Sequence, residues 1–273
     1  MICPICAERT KVFGSANYHM SDENTFNIRV LFCESCNSFV KDISDNLLKE
    51  YFRNSPWTRD HFAQEILPGE EKYFDFLFGL VKYTDMPIST WLDFGCAYGR
   101  FIEYLNGRNV KAYGVEISDN IQKYAEENDL TIWKSLSNIP ENVTFDVITC
   151  IDSFYYLSQP KEVMNEFRKK LNKGGLVIFR LSNRNIIVKF DKYVLRKKYT
   201  DALNDHTIGW SNKSLKYLVE SSGFEVVKLS YSEWSKVRPL SSKLFYFCSY
   251  LLFIISFGKL NLLPGFTLIA KVK

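Results

Sequence analysis

The most constraining stretch of the sequence runs from Thr90 to Arg100 and reads TWLDFGCAYGR. Residues 91–94 have the apolar character of a short buried strand, and Gly95 and Gly99 bracket the turn that follows. Apolar residues then recur at helical spacing. A strand, a glycine turn and a helix in this order are typical of nucleotide-type sites, because glycine lets the backbone approach a ligand closely.

One carboxylate precedes the glycine turn and another follows it. Asp93 lies at the end of the first strand, and Glu116 lies at the end of a second apolar run, 112–117. A carboxylate in the position of Asp93 would repel a pyrophosphate, but it suits a cationic ligand without phosphate. An acid about 20 residues after the glycine turn is where a ribose diol is held in such folds.

The pattern Asp-x-Gly-x-x-x-Gly, followed by a strand that ends in Glu116, resembles the first two motifs of class I S-adenosylmethionine-dependent methyltransferases. Ala97 stands where the family usually has its middle glycine. The resemblance covers about residues 80–224. It implies S-adenosylmethionine as cofactor, with Asp93 beside its methionine end and Glu116 on its ribose hydroxyls.

The resemblance also implies the remaining cofactor contacts. In the family an acid after the third strand lies near the adenine amino group. This chain has Ser135 there, so a hydroxyl or backbone group is expected instead. The full predicted cofactor site comprises Asp93, Gly95, Cys96, Ala97, Tyr98, Gly99, Glu116, Ile117, Ser135 and Asp152.

The carboxyl end of the fourth predicted strand, 145–151, opens into Asp152, Tyr155 and Tyr156. Ligands bind at this edge of open α/β sheets, so these residues are expected to line the pocket. Further on, His206 precedes an aromatic residue and a serine-capped helix, as in methyltransferases that act on small molecules, glycans and quinones. His206 is the first candidate for the base, with the two tyrosines as competitors. The alternative for His206 is a helix-entry histidine bonded to backbone.

A second motif lies at the start of the chain. Cys3, Cys6, Cys33 and Cys36 form two Cys-x-x-Cys pairs separated by 26 residues. Two such pairs can surround one structural Zn²⁺, although the separation exceeds the usual spacing. Free thiols or an iron–sulfur site are the alternatives. The pattern also resembles the zinc-binding segment that precedes some sugar methyltransferases. Cysteines used in this way indicate a reducing, cytoplasmic compartment.

The net charge and the distribution of basic residues bear on which substrates and binding partners are expected. The formal charge of +4 is mild and does not by itself indicate nucleic acid. A basic run between residues 189 and 198 predicts a solvated helix face, or alternatively a lid over an anionic substrate such as a sugar nucleotide. The expected acceptor is therefore a sugar, a glycan or a related small metabolite, methylated on oxygen or carbon. An RNA methyltransferase and a non-catalytic binding protein are the alternatives.

The chain closes with an unusual segment. Residues 244–257 carry no charge, but 14 residues are too few to span a bilayer. A buried or interface helix is expected there, with contact to a membrane or to a lipid-linked substrate as the alternative. Residues 265–272 are expected to form the last strand, in an antiparallel hairpin.

These elements predict an α/β fold with a doubly wound, seven-stranded, Rossmann-like sheet. The predicted domains are a zinc-binding domain at 1–42, a helical connector at 43–85 and a methyltransferase domain at 86–273. Within the connector, aromatic residues of helix 70–82 such as Tyr73 are expected to pack in the core. The family resemblance implies the alternative that some of them contact the cofactor, because this segment often closes over it in the resembling enzymes.

Overall fold

The computed structural model describes residues 1–19, 25–53, 70–193, 196, 203, 206–231, 240–256 and 265–273. Pro56 and Pro68, at which the sequence predicts that the helical pattern of the connector is interrupted, lie outside these residues. So do His61, to which the sequence assigned no role, and Lys197 and Lys198 of the basic run.

The first part of the chain forms a small antiparallel sheet. Strands β1 (Lys11–His19), β2 (Thr25–Cys33) and β3 (Ser38–Lys41) are consecutive neighbours. A short later strand, β9 (Ile208–Gly209), adds to β3 through the pairs Phe39–Gly209 and Val40–Ile208. The cysteine-bearing segment therefore shares a sheet with a strand that lies two residues after His206.

The described part of the segment between this sheet and the main one contains two helices. Helix α1 spans Asp45–Arg53, and α2 spans Glu70–Gly79 before a 3₁₀ turn at Leu80–Tyr83. Phe74 and Leu77 of α2 are buried, and the Phe74 ring lies 5.0 Å from that of Phe101. The apolar face predicted for this helix thus packs on the core.

The main sheet has seven strands in the order β10-β11-β8-β7-β4-β5-β6. Strands β4 to β8 are parallel, while β11 is antiparallel to both of its neighbours. The strands are β4 (Thr90–Phe94), β5 (Lys111–Val115), β6 (Ile132–Trp133), β7 (Phe145–Ile151), β8 (Leu171–Ser182), β10 (Phe224–Tyr231) and β11 (Gly265–Val272). The predicted doubly wound sheet and its closing hairpin are confirmed.

Helices connect the strands and cover the sheet. They are α3 (Arg100–Asn106), α4 (Asp119–Glu127), α5 (Pro160–Lys170), α6 (Arg184–Tyr193), α7 (Asn212–Ser221) and α8 (Leu240–Ile255). Successive residues of a strand point to opposite faces, so β4 contributes Trp91 to one apolar cluster and Leu92 to another. The apolar runs of the parallel strands are therefore buried on both faces.

Helix α8 differs from the expectation. Its large apolar side chains are between 40% and 71% exposed at Phe247, Tyr250, Leu251, Leu252, Ile254 and Ile255. The buried alternative is therefore wrong for this part of the helix, which packs through Ser249 with Phe253 and Ser256 partly buried, and the interface alternative stays a prediction. Within the described residues, the apolar helices all fall short of the length that crossing a membrane requires.

Candidate active site

The glycine turn after β4 adopts the backbone that the sequence predicts. Gly95, Ala97 and Gly99 all have positive φ, at 78°, 47° and 77°. A Cβ on Gly95 would lie 2.3 Å from Cβ of Ser153, so no larger residue fits there. The Gly95 amide also donates to the Val115 carbonyl at 2.7 Å. These contacts hold the turn against the carboxyl ends of β5 and β7.

Glu116 follows β5 and faces this turn. One carboxylate oxygen accepts the Ala97 N–H at 3.2 Å, and the other accepts the Ile117 N–H at 2.8 Å. Burial raises the pKa of the Glu116 carboxyl, and the backbone N–H groups partly oppose that shift. The oxygen that binds Ile117 also accepts the Ser118 N–H at 3.4 Å, whereas the oxygen that binds Ala97 keeps a second lone pair that can accept a hydrogen bond from a diol.

Asp93 is 4% exposed at the end of β4. The Thr149 hydroxyl donates to its Oδ1 at 2.7 Å. Burial raises the pKa of Asp93 to about 7, against the effect of this hydrogen bond, and the nearby charge of Glu116 raises it further. A cation placed beside Asp93 would favour its ionised form.

Two polar side chains that the sequence did not predict share this pocket. The Tyr73 hydroxyl is buried and has no hydrogen-bond partner among the described residues. Its pKa rises to about 12, mainly through burial, and the charges of Arg180 and Asp93 also act on it. The Arg180 Nε is likewise buried and unpartnered within the described structure, while Nη1 of the same guanidinium pairs with Asp152. The position of Arg180 at the end of a strand was the available signal, whereas Tyr73 was expected to pack, with ligand contact as the alternative.

These groups fit an amino-acid nucleoside. The donors of Tyr73 and Arg180 suit a carboxylate, Asp93 suits a cationic group and Glu116 suits a ribose diol. S-adenosylmethionine carries all of these features, so the pocket fits the cofactor that the sequence resemblance implies.

Some predicted contacts involve backbone rather than side chains. The Cys96 thiol points into the core, since its sulfur would lie 2.3 Å from a Cβ on Gly114. The Tyr98 ring packs against Tyr124 with centroids 4.9 Å apart. Ser135 lies after β6, where its hydroxyl bonds to Ser137 at 2.8 Å and to Asn138 at 2.7 Å. Cys96 and Tyr98 therefore contribute their backbone to the turn, while their side chains pack away from it.

The three candidate catalytic residues come together at the carboxyl edge of the sheet. His206 is buried and stacks on Tyr155 with ring centroids 3.7 Å apart, and the ring of Tyr156 is 5.7 Å away. The His206 Nε2 accepts a hydrogen bond from the Arg184 Nε at 3.2 Å. Arg184, which the sequence placed only in a rim segment of the pocket at 182–185, therefore occupies the nitrogen that a base would use.

The small sheet supports this aromatic cluster. The Thr207 amide donates to the Tyr155 carbonyl at 3.0 Å, and the Lys41 amide of β3 donates to the Thr207 carbonyl at 2.9 Å. Backbone bonds thus run from β3 through the residue after His206 to Tyr155. The position of His206 depends on the cysteine-bearing segment.

The four predicted metal ligands are close together. The Sγ atoms of Cys3, Cys6, Cys33 and Cys36 all lie within 4.8 Å of one another, and the pairs Cys3–Cys36 and Cys6–Cys33 are 3.7 Å and 3.4 Å apart. In a tetrahedral zinc site with Zn–S bonds of about 2.3 Å, the sulfurs are about 3.8 Å apart. The cluster therefore has the dimensions of a four-thiolate zinc site.

Two of the three described cations of the basic run contact the small sheet. The Lys189 ammonium donates to the Asn37 side chain at 2.9 Å and lies 4.8 Å from the Phe32 ring centroid. Lys192 lies 3.8 Å from the ring centroid of Phe13. Lys189 and Lys192 therefore contact the small sheet, whereas Arg196, the other described cation of the run, is exposed.

Comparison with known proteins identifies the family. A family described as a methyltransferase domain matches residues 50–229. The chain belongs to this methyltransferase family. The class I resemblance carried by Asp93, Gly95, Gly99 and Glu116 is thereby confirmed.

Individual relatives are distant. A tRNA U34 carboxymethyltransferase of Campylobacter fetus is 22% identical over 186 residues, which are 64% of this chain and 65% of that protein. A ubiquinone biosynthesis O-methyltransferase of Idiomarina loihiensis is 26% identical over 104 residues, which are 35% of this chain and 43% of the relative. The methyltransferase chain thus spans less than two thirds of either relative.

Solved structures support the fold. The crystal structure of magnesium protoporphyrin IX methyltransferase from Synechocystis PCC 6803, with bound SAH, matches with a TM-score of 0.53 at 14% identity. The match covers 84% of this methyltransferase and 99% of that chain. At this identity the likeness concerns the fold alone.

Proposed function

We propose that this protein transfers a methyl group from S-adenosylmethionine to an oxygen or carbon of a sugar, a glycan or a related small metabolite. The observation that carries the proposal is the convergence of Asp93, Glu116, Tyr73 and Arg180 on one pocket beside the glycine turn. The family match and the ubiquinone O-methyltransferase among the relatives support methyl transfer to a small acceptor.

In this proposal the pocket residues bind and orient the cofactor. Glu116 accepts the ribose hydroxyls, Asp93 accepts the cationic amino group of the methionine end, and Tyr73 donates to its carboxylate. Bound S-adenosylmethionine supplies an activated methyl group on its sulfonium. The acceptor then needs only in-line placement at about 3–3.5 Å and the loss of its proton.

The aromatic cluster is the proposed acceptor side. His206 takes the acceptor proton at Nε2 once the Arg184 guanidinium has moved away from that nitrogen. Stacking on Tyr155 holds the imidazole ring at the sheet edge. Tyr155 and Tyr156 stay competing candidates, but a phenol with an ordinary pKa near 10 is the weaker base at neutral pH.

The cysteine cluster is proposed to hold one structural Zn²⁺. Four thiolates leave no open coordination position, so the metal would stabilise the small sheet and take no part in the chemistry. Elemental analysis should find about one zinc per chain. Cys33→Ser should loosen the first forty residues and leave cofactor binding intact. A fully folded, metal-free preparation would argue against the zinc site.

The experiment that tests the function follows a tritiated methyl group. The purified protein and labelled S-adenosylmethionine are incubated separately with a water-soluble metabolite fraction, a glycolipid fraction and tRNA. Label in one of the first two fractions supports the proposal, and label in tRNA alone supports the RNA alternative that the Campylobacter fetus relative suggests. Absence of label in all three, with normal cofactor binding, contradicts an acceptor of the proposed class.

A paired variant connects the label to the pocket. Glu116→Ala should weaken S-adenosylhomocysteine binding at least roughly a hundredfold, because each hydrogen bond to a charged acceptor contributes about 1.5–3 kcal/mol. The exposed carboxylate of Glu141 provides the control, Glu141→Ala, which should bind normally. Normal affinity of Glu116→Ala in calorimetry would refute the assignment of the ribose to Glu116.

A further inference from the structure

Helix α8 presents its apolar residues outward. Phe247, Tyr250, Leu251 and Ile254 recur at the spacing of one helical face, and all four are between 40% and 61% exposed. Inward, the helix presents the buried Ser249, with Phe253 and Ser256 partly buried on the same stripe. Apolar side chains that stay exposed to water do not stabilise the folded chain. The exposed face of α8 therefore has the composition of a binding surface.

The charged residues nearest to α8 in the sequence are all basic. From residue 234 to residue 264 the sequence contains Lys236, Arg238, Lys243 and Lys259 and no aspartate or glutamate. An apolar helix with exclusively basic neighbours in sequence is suited to an anionic lipid surface, where basic residues are attracted to headgroups and apolar ones enter the acyl boundary. A second copy of the chain would bring the same positive charge and has no such complementarity.

The connection that holds α8 is anchored at the edge of the sheet that carries the site. The chain leaves the sheet at Tyr231 and returns at Gly265, and Gly265 pairs with Ser182 at the end of β8. Arg180 of β8 and Asp152 after β7 lie at this same carboxyl edge. The chain therefore leaves for α8 and returns from it at the edge of the sheet that carries the site.

We propose that α8 docks the protein on an anionic membrane by inserting its exposed apolar face into the lipid interface. The docking itself is independent of methyl transfer. Together with the proposed function, it implies that the acceptor is presented from the membrane, as a lipid-linked or lipid-dissolved molecule. The length of the helix suits a position in the plane of the interface rather than across the bilayer.

Vesicle flotation tests the docking. Vesicles of phosphatidylcholine mixed with phosphatidylglycerol should bind the protein roughly tenfold or more tightly than vesicles of phosphatidylcholine alone, because each basic residue near an anionic surface contributes about 1 kcal/mol. The double variant Tyr250→Glu/Ile254→Glu should lose at least about tenfold in vesicle affinity. The matched control, Val12→Glu/Tyr217→Glu, alters two exposed apolar residues outside α8 and should bind like the parent.

A gain-of-signal variant covers the case in which the double variant does not fold. Ile254→Trp puts an indole on the exposed face, and its fluorescence should shift to the blue with anionic vesicles and be quenched by brominated lipid. S-adenosylhomocysteine binding by every variant reports on the pocket separately, so a failure of the membrane proposal is distinguishable from a failure of the proposed function.

Three results would overturn the proposal. The first is no binding of the parent protein to either vesicle type, and the second is equal binding to both. The third is a concentration-dependent dimer that binds no vesicles and that Tyr250→Glu/Ile254→Glu converts to monomer, which would make the face a self-association surface.

Discussion

Asp146 and Asp93 are both almost completely buried in the seven-stranded sheet, one at its amino edge and the other at its carboxyl edge. Asp146 accepts the Ser89 amide at 2.8 Å and the Thr90 amide at 2.9 Å on one oxygen, and the Asn172 side chain at 2.7 Å on the other. Burial alone would raise its pKa, but these hydrogen bonds prevail and lower it.

Asp93 has fewer partners for its charge. The Thr149 hydroxyl is the donor at 2.7 Å, and burial raises the pKa of Asp93 to about 7. The contrast separates two uses of a buried carboxylate. Asp146 stabilises the fold by binding the start of β4, whereas Asp93 is incompletely stabilised until a cation arrives.

The largest expected effect concerns the affinity for the cofactor. Asp93→Asn should weaken S-adenosylhomocysteine binding roughly a hundredfold at pH 8, because the cationic methionine end loses a charged acceptor worth about 1.5–3 kcal/mol. The free energy of unfolding at pH 8 should not fall, since the amide oxygen can still accept from Thr149 and the cost of a buried charge is removed. Calorimetry and chemical denaturation measure the two quantities.

Asp146→Asn should show the opposite pair of results. The free energy of unfolding should fall by about 2 kcal/mol at pH 8, because the new amide group must face either the Ser89 and Thr90 amides or the Asn172 donor. The pKa of Asp146 is lowered in the folded state, so its contribution is present above the ordinary pKa near 4 and lost as the pH falls through the folded value. Parent and variant should therefore converge below about pH 4. Unchanged stability of Asp146→Asn at pH 8 would contradict the stabilising role of Asp146.

The smallest effect is the pH dependence of binding. If the cationic ligand binds the ionised form of Asp93, a pKa of about 7 predicts that affinity falls about tenfold from pH 8 to pH 6. The pKa of Glu116 is also raised, so Glu116 can contribute to the same pH dependence. The variant Asp93→Asn retains Glu116 and therefore measures that contribution alone. The slope that remains in Asp93→Asn belongs to Glu116, and an undiminished slope would assign the titration there.

Much of the fold could be predicted because the apolar pattern within each segment indicates its secondary structure. Strand β7 has the predicted limits, Phe145–Ile151, since its apolar run is uninterrupted. The closing strand Gly265–Val272 also agrees. In both cases the signal lies within the segment itself, and the family resemblance of the motif around Asp93 then implied the doubly wound, seven-stranded sheet.

The missed features depend on contacts between distant parts of the chain. The pairing of Phe39 with Gly209 joins segments 170 residues apart, so no local pattern of the cysteine-bearing segment indicates it. The same applies to Lys189, whose charge is used on Asn37 rather than on a substrate. The orphaned hydroxyl of Tyr73 is another case, because a helical tyrosine with apolar neighbours looks like a packing residue.

The most direct test of the account is the number of protons released when S-adenosylhomocysteine binds. Calorimetry at pH 6 in two buffers with different heats of ionisation measures it, and at this pH the amino group of the ligand stays protonated, since α-amino groups titrate at about 7.7–8.0. We expect the release of up to about one proton at pH 6, decreasing as the pH rises through 7, and in Asp93→Asn only the smaller release that Glu116 contributes. Identical binding heats in the two buffers at pH 6 would show that Asp93 does not ionise against the cofactor, and would contradict its role at the methionine end.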